Sequence, residues 1–561
     1  MIHRLTCILL LITTESFCQV SALRPAFGRK GMVASSDSMA TAVGVRIMEE
    51  GGNAVDAAVA VGFVLAVTYP QAGNLGGGGY YVIHLSGGEN FAIDARETAP
   101  SGAFAGMFLD SSGNVVPGKS LVGGLSAGVP GNVDGLVTAE TKFGRLSLEK
   151  VLAPAIAIAD TGFRINKLLA LGLDSALTLM SRYPSTVKYF TRDGRAYGEG
   201  DIMVQKDLAA VLRRISSGGR DGFYTGEIPE MIAREDRATG GVITAWDIEN
   251  YHAIIREPTS FSYHGYQIIA MPPSSSGGIC LEEMMNILGH FDLRKYGYGA
   301  SQTIHYEVEA MRRAYADRDK FLGDAAFVRV PTEELTSTEY ADSVAARIDS
   351  FKATPSSEIY PDLINPPREG THTTHYSVVD GEGNAVSVTT TLNSWFGSMV
   401  AVDSAGFLLN NEMDDFSAKA GVPNQFGAIG GGANSIRAGK RMLSSMTPTI
   451  VLKDGKPFLV LGSPGGTTII NSVLDVILNV VDFEMPLVEA EIAGRIHHQW
   501  IPDDVRYENS ALVYDVKMNL AARGYKLVPV KSIGEVQAIL VTPSGLEGVA
   551  DPRGVGTAQG Y

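Results

Sequence analysis

Hydrophobic positions change period along the chain, and the changes mark its elements. Between Asp37 and Glu50, Ala40, Val43 and Ile47 recur on one helix face; Asp37 or Ser38 caps the run and Gly51-Gly52 ends it. The run from Ala57 to Val67 is apolar throughout but far shorter than the ~20 residues a bilayer requires, so it predicts a buried core helix. Strands are predicted at Tyr80–Leu85 and Phe91–Asp94. From about Leu146 to Arg347 the pattern is mainly helical, with amphipathic stretches at Asp207–Ile215 and Leu281–Leu288. The proline-rich segment Pro361–Glu369 reads as an exposed linker. Beyond it the period shortens to two. Tyr376–Val379 and Ala385–Val388 are strands joined through Asp380–Asn384, and Thr449–Leu452 and Phe458–Leu461 flank the hairpin signal Asp454-Gly455. A helix is predicted over Thr467–Val481. Pattern alone gives a mixed α and β chain without repeats.

Composition narrows the class. A chain of 561 residues can hold two or more ordinary domains or one large layered one. Its 45% hydrophobic content and 64 glycines fit a compact protein with many tight turns. The formal charge of −15 is spread along the chain, and no basic stripe with interleaved aromatics is present, which excludes nucleic acid as a partner class. Arg4, the apolar run Cys7–Ile12 and the small-residue site Val20-Ser21-Ala22 read as an export signal cut after Ala22. Bulky Phe17 before Cys18 argues against a lipid attachment site. The mature protein is therefore expected to be periplasmic or secreted, without membrane insertion. Loss of the signal leaves Cys280 as its sole cysteine, a small buried apolar residue rather than a nucleophile, with no internal disulfide.

The segment TTHYSVVDGEGNAVSVTTTLNSWFG (Thr373 to Gly397) carries the candidate chemistry. A threonine hydroxyl needs an adjacent base to act as a nucleophile, and a threonine at a chain terminus has one in its own α-amine. That amine titrates near pH 8, so a useful fraction is neutral at working pH. Thr373 acquires it only if the bond after His372 is cut. By themselves, Thr373, Thr374, Ser377 and Thr389 to Thr391 also describe two paired strands.

The block resembles the start of the small subunit of the γ-glutamyltranspeptidases, self-processing N-terminal-nucleophile hydrolases. The likeness extends to LLNNEMDDFSAKAGVPN (Leu408 to Asn424), RMLSSMTPTIV (Arg441 to Val451) and LGSPGGTTII (Leu461 to Ile470). Upstream it includes EEGGNAVDAAVAVGFVLAVTYPQAGNLGGGGYYVIH (Glu49 to His84), FAIDARETAP (Phe91 to Pro100) and MPPSSSGGI (Met271 to Ile279). The resemblance implies an α+β fold, a four-layer αββα sandwich. It implies a signal peptide at 1–22, a large subunit at 23–372 and a small catalytic subunit at 373–561, both subunits building one composite domain. The implied partners are glutathione and other γ-glutamyl compounds, amino acid or dipeptide acceptors, and the two fragments as a heterodimer.

The same resemblance assigns roles. Thr373 is the nucleophile and Thr391 supports it from the adjacent strand; a hairpin centred on Glu382 places the two opposite each other. Gly465-Gly466, directly before a helix, supplies the oxyanion hole, although alone the pair also reads as a strand-to-helix turn. Arg96 with Ser444 and Ser445 receives the substrate α-carboxylate, and Asn393, Glu412 and Asp415 receive the α-ammonium. Glu412 stands where several bacterial members have glutamine. Phe426 stands where some have a tyrosine that closes a lid over roughly 421–433. No cofactor and no catalytic metal are expected: adjacent His497 and His498 point apart in a helix, without a zinc motif. Gly76–Gly79 lacks the Lys-Ser/Thr of a phosphate loop and reads as close backbone packing. His375 reads as structural. Two rivals stay open, an acylase for glutaryl or other acyl amides and an inactive periplasmic binder.

Overall fold

A computed structural model of the chain describes residues 24–359, 373–419, 421–422, 424–425 and 431–561. The export signal, the linker Pro361–Glu369, His372 and Phe426 lie outside the described residues. No described helix is long and apolar enough to cross a membrane.

Two seven-stranded antiparallel sheets face each other. One has the order Ala26–Gly28, Gly545–Ala550, Gln537–Thr542, Lys456–Gly462, Thr449–Lys453, Tyr266–Ala270, Thr259–Tyr263. The other runs Thr557–Gly560, Gly31–Ser35, Thr373–Asp380, Ala385–Thr391, Gly78–His84, Asn90–Ala95, Ile254–Arg256. Alternation along a strand explains the layering. Tyr80 and Val82 join Met32, Ile269, Ile450 and Val460 in the apolar layer between the sheets. Their neighbours Tyr81 and Ile83 face outward into the helical layer, where Asn132–Phe143 packs on their strand beside Ser38–Glu49 and Ala54–Thr68. On the far side, Ile268, Val451 and Leu461 meet the helices Gly277–Leu288, Ser301–Phe321 and Thr468–Val481. Helix, sheet, sheet, helix: the molecule is a four-layer αββα sandwich.

Local signals act where they were read. Asp37 caps Ser38–Glu49 by accepting from the amides of Met39 and Ala40. Ala54–Thr68 is buried along its whole length, as a helix without a polar face must be. Asp454 and Gly455 both take positive φ in the hairpin between Thr449–Lys453 and Lys456–Gly462. The region from Leu146 to Arg347 is mainly helical, as its pattern indicates, but it also contributes the strands Ile254–Arg256, Thr259–Tyr263 and Tyr266–Ala270, one to the second sheet and two to the first. Phe261 and Tyr263 alternate with serines there, a period-two signal hidden between long helical stretches.

Candidate active site

The hairpin register pairs Thr373 with Thr391 and Val379 with Ala385, as a turn about Glu382 requires. Odd-numbered side chains on both strands face the opposite sheet. Ser377 donates to the Gln537 carbonyl at 3.0 Å and Ser387 to that of Leu461 at 2.9 Å. Thr373 and Thr391 continue this row to its end, where the space between the sheets opens into a cavity. Their hydroxyl oxygens are 3.5 Å apart, and Thr391 Oγ1 accepts from the Asn393 amide at 2.8 Å. Asn393 takes the left-handed conformation, with φ 75°, that short polar side chains tolerate.

The strand row is held close by the glycines before it. A Cβ on Gly76 would lie 2.1 Å from the Leu408 carbonyl oxygen, and one on Gly77 would lie 2.2 Å from that of Thr391. The run is a packing device, as its sequence suggested.

All the residues assigned to substrate contact line this one cavity: Arg96, Asn393, Glu412, Asp415, Ser444 and Ser445, with Thr373, Thr391 and Gly466. Gly465 lies one residue further back. The glycine pair precedes the helix Thr468–Val481 with positive φ at both positions. Among the described residues neither glycine amide has a hydrogen-bond acceptor, so the pair presents donors.

The charged groups are arranged around Arg96, which is fully buried. Its Nε donates to the Met442 carbonyl at 3.2 Å, Nη1 donates to Glu412 and Nη2 to Asp415. The guanidinium thus joins both carboxylates assigned to the ammonium, which the motif reading had treated as a separate half of the clamp. A third carboxyl stands behind it. Glu97 is fully buried, 3.6 Å from Arg96 Nη1, and neither of its oxygens accepts a hydrogen bond. Burial pushes the Glu97 carboxyl up to about 7, against the pull of Arg96. Burial likewise raises Glu412 and Asp415, with Arg96 opposing. Glu412 and Asp415 face the cavity beside Arg96, where their oxygens can accept from an ammonium.

Sequence motifs missed other lining residues: Arg318, Asp319, Asn424 and Asn434. Arg318 and Asp319 sit on Ser301–Phe321, a helix buried along most of its length despite the charge-dense run Arg312–Lys320. Charges on a buried helix require partners, and that conflict was the available signal. Asn424 Nδ2 donates to Asp415 Oδ1 at 3.2 Å and Asn434 Nδ2 to the Asp415 carbonyl at 2.7 Å, so both brace the acidic turn Glu412–Asp415. His375 is locked between the sheets by Thr389 and Ser377, and burial lowers its pKa to about 3. His497 bonds Asn471 and Gln499, and His498 lies 3.3 Å from Asp503. Among the described residues no cluster of metal-ligating side chains occurs.

Facing antiparallel sheets between helical layers, with a threonine at the mouth of the inter-sheet space, define an N-terminal-nucleophile hydrolase fold. The solved structure of cephalosporin acylase from Bacillus halodurans superposes with TM-score 0.83 at 26% identity, covering 98% of this chain and 99% of that one. The chain belongs to the γ-glutamyltranspeptidase family, whose model, described as gamma-glutamyltranspeptidase, matches residues 40–561. Among its relatives, the glutathione hydrolase proenzyme of Escherichia coli strain K12 is 49% identical over 533 residues, 95% of this chain and 92% of that protein. The structure of Helicobacter pylori gamma-glutamyltranspeptidase shares 47% identity with TM-score 0.57, covering 58% of this chain and 93% of that chain.

Proposed function

We propose that the protein is a γ-glutamyltransferase and glutathione hydrolase, made as a precursor that cuts itself before Thr373. One observation carries this reading. A single cavity gathers a threonine at a strand end, Gly466 of a glycine pair whose amides have no acceptor among the described residues, and a cation, carboxylates and hydroxyls fit for an amino-acid head group. An acylase and this chain share one overall shape, so the head-group residues, not the fold, favour the γ-glutamyl substrate.

The chemistry follows from the positions. The Thr373 hydroxyl attacks the γ-carbonyl carbon and its proton passes to the α-amine freed by cleavage. The tetrahedral oxyanion then forms beside Gly465-Gly466, where a single donor is typically worth ~3 kcal/mol. Collapse expels the amine, which takes the proton, and leaves a glutamyl ester on Thr373. Water or a second amine attacks this ester and regenerates the hydroxyl. Thr391 Oγ1 orients the nucleophile through the contact described above. Arg96, Ser444 and Ser445 take the α-carboxylate while Asn393, Glu412 and Asp415 take the α-ammonium. A binder without catalysis has no use for a paired Thr373 and Thr391 at such a mouth.

The mature protein comprises the fragments 23–372 and 373–561, exported by residues 1–22. Glutathione and related γ-glutamyl compounds are its donors, and water, amino acids or dipeptides its acceptors. The deciding experiment compares γ-glutamyl and glutaryl p-nitroanilides on purified enzyme, with and without a dipeptide. The γ-glutamyl compound should react far faster, and equal rates on the two would transfer the protein to the acylases.

A further inference from the structure

Arg318 enters the cavity wall from the helix Ser301–Phe321 with its side chain almost fully buried. It reaches the serine pair by two routes. Nη2 donates to Ser445 Oγ at 3.0 Å. Nε donates to Ser276 Oγ at 3.0 Å, and Ser276 in turn donates to the Ser444 carbonyl from its hydroxyl at 2.7 Å and its amide at 2.8 Å. Nη1 is held by Asp319 Oδ1 at 3.0 Å, which fixes the plane of the guanidinium.

Hydrogen-bond direction gives this network a consequence. A guanidinium has donors and no acceptor. Ser445 Oγ must therefore accept from Arg318, and its own proton must point elsewhere. Among the described residues nothing accepts that proton, and Ser445 lines the cavity. Ser444 Oγ is set the same way, since it accepts from the Met446 amide at 3.1 Å. An ionised carboxylate only accepts, so a hydroxyl already committed as an acceptor on its protein side is oriented to bind one.

We propose that Arg318 is a positioning residue, which fixes the Ser445 hydroxyl as a donor to the α-carboxylate of the substrate. The proposal rests on the γ-glutamyl reading and goes beyond it by making carboxylate recognition depend on a residue outside the head-group motifs.

The test uses the mature enzyme and two anilides, γ-glutamyl-p-nitroanilide and 4-aminobutyryl-p-nitroanilide, which lacks only the α-carboxylate. Arg318→Gln should raise KM for the γ-glutamyl compound about tenfold or more while changing kcat little. Its kcat/KM for the aminobutyryl compound should stay near wild type. In a Ser445→Ala background the same change should add almost nothing, and Arg318→Lys, which keeps a charged donor, should recover part of the loss. Equal proportional losses on both anilides, or effects that multiply with Ser445→Ala, would overturn the proposal and leave Arg318 a merely structural residue. Should Arg318→Gln fail to fold, the ratio between the two substrates in Arg318→Lys, with and without Ser445→Ala, decides by the same criteria. A wild type that does not prefer the γ-glutamyl compound would instead refute the γ-glutamyl reading itself.

Discussion

Asp415 is gripped by Arg96 on one oxygen and by Asn424 on the other, while its backbone carbonyl holds Asn434. Removing its charge without removing its shape isolates the ammonium half of the clamp. Losing one partner of a desolvated charge pair costs ~2–5 kcal/mol, so Asp415→Asn should lower kcat/KM for γ-glutamyl amides roughly 30-fold to several thousand-fold. A glutaryl amide, which has no ammonium, should lose little more. Self-cleavage should continue, because His372 and Thr373 do not use the clamp; a cleavage defect on a denaturing gel would mean that Asp415 acts on the precursor as well. Arg96→Ala should be as damaging to activity and also unstable by ~3–5 kcal/mol, since Glu97, Glu412 and Asp415 would share a buried site without their common cation. A melting temperature near wild type would refute that part. At this scale the motif residues were legible because each stands in a run that resembles a known family. Arg318 and Glu97 were not. One lies on a helix outside the matching runs, and the other is a glutamate, a residue type that is usually solvated but is here fully buried behind Arg96.

Strands set what the hairpin tolerates. Gly77 brings Gly78–His84 against Ala385–Thr391, and a methyl there would meet the Thr391 carbonyl oxygen. Gly77→Ala should cost ~1–3 kcal/mol by overpacking and should slow cleavage by displacing Thr391. Wild-type melting and cleavage would show that the strand has room. His375 gives the same strand a pH dependence. Its folded pKa, near 3, lies below the ordinary 6.5 because burial disfavours the imidazolium. Between these values the unfolded chain binds more protons, so stability is fully present above about pH 6.5 and is lost as pH falls, by roughly 2 kcal/mol at pH 5. Raised carboxyls such as Glu97 act in the opposite direction over the range from their ordinary value up to about 7, so the histidine must be read by difference. The stability of wild type minus His375→Gln should shrink as pH drops from 7 to 5, and a constant difference would contradict the burial argument. Helix caps, the Asp454-Gly455 turn and the threonine hairpin were legible because their signals are local. The strands at Ile254–Arg256, Thr259–Tyr263 and Tyr266–Ala270 were obscured by helical sequence on both sides.

The order of the sheets explains why patterns reached only a mixed α and β chain. Thr557–Gly560 pairs with Gly31–Ser35, and Ala26–Gly28 pairs with Gly545–Ala550, contacts between the two ends of the chain that leave no local trace. The same order predicts how the cut protein behaves. A break before Thr373 would separate Gly31–Ser35 from Thr373–Asp380, Gly78–His84 from Ala385–Thr391, and Tyr266–Ala270 from Thr449–Lys453, yet each pair is hydrogen-bonded across a central ladder. The apolar layer between the sheets also draws on both sides of the cut, with Met32, Tyr80 and Ile269 from one and Ile450 and Val460 from the other. Neither fragment has a complete sheet or a covered core without its partner, so cleavage should leave a single unfolding unit. Wild type should elute in gel filtration as one species and resolve into two bands only after denaturation. Thr373→Ala should elute at the same volume, stay one band and be inactive, because attack on the His372 carbonyl needs the hydroxyl that the substitution removes. Fragments that part under native conditions would contradict the shared sheets. An uncut wild type with full activity would contradict the terminal nucleophile, since an internal Thr373 has no α-amine to take its proton.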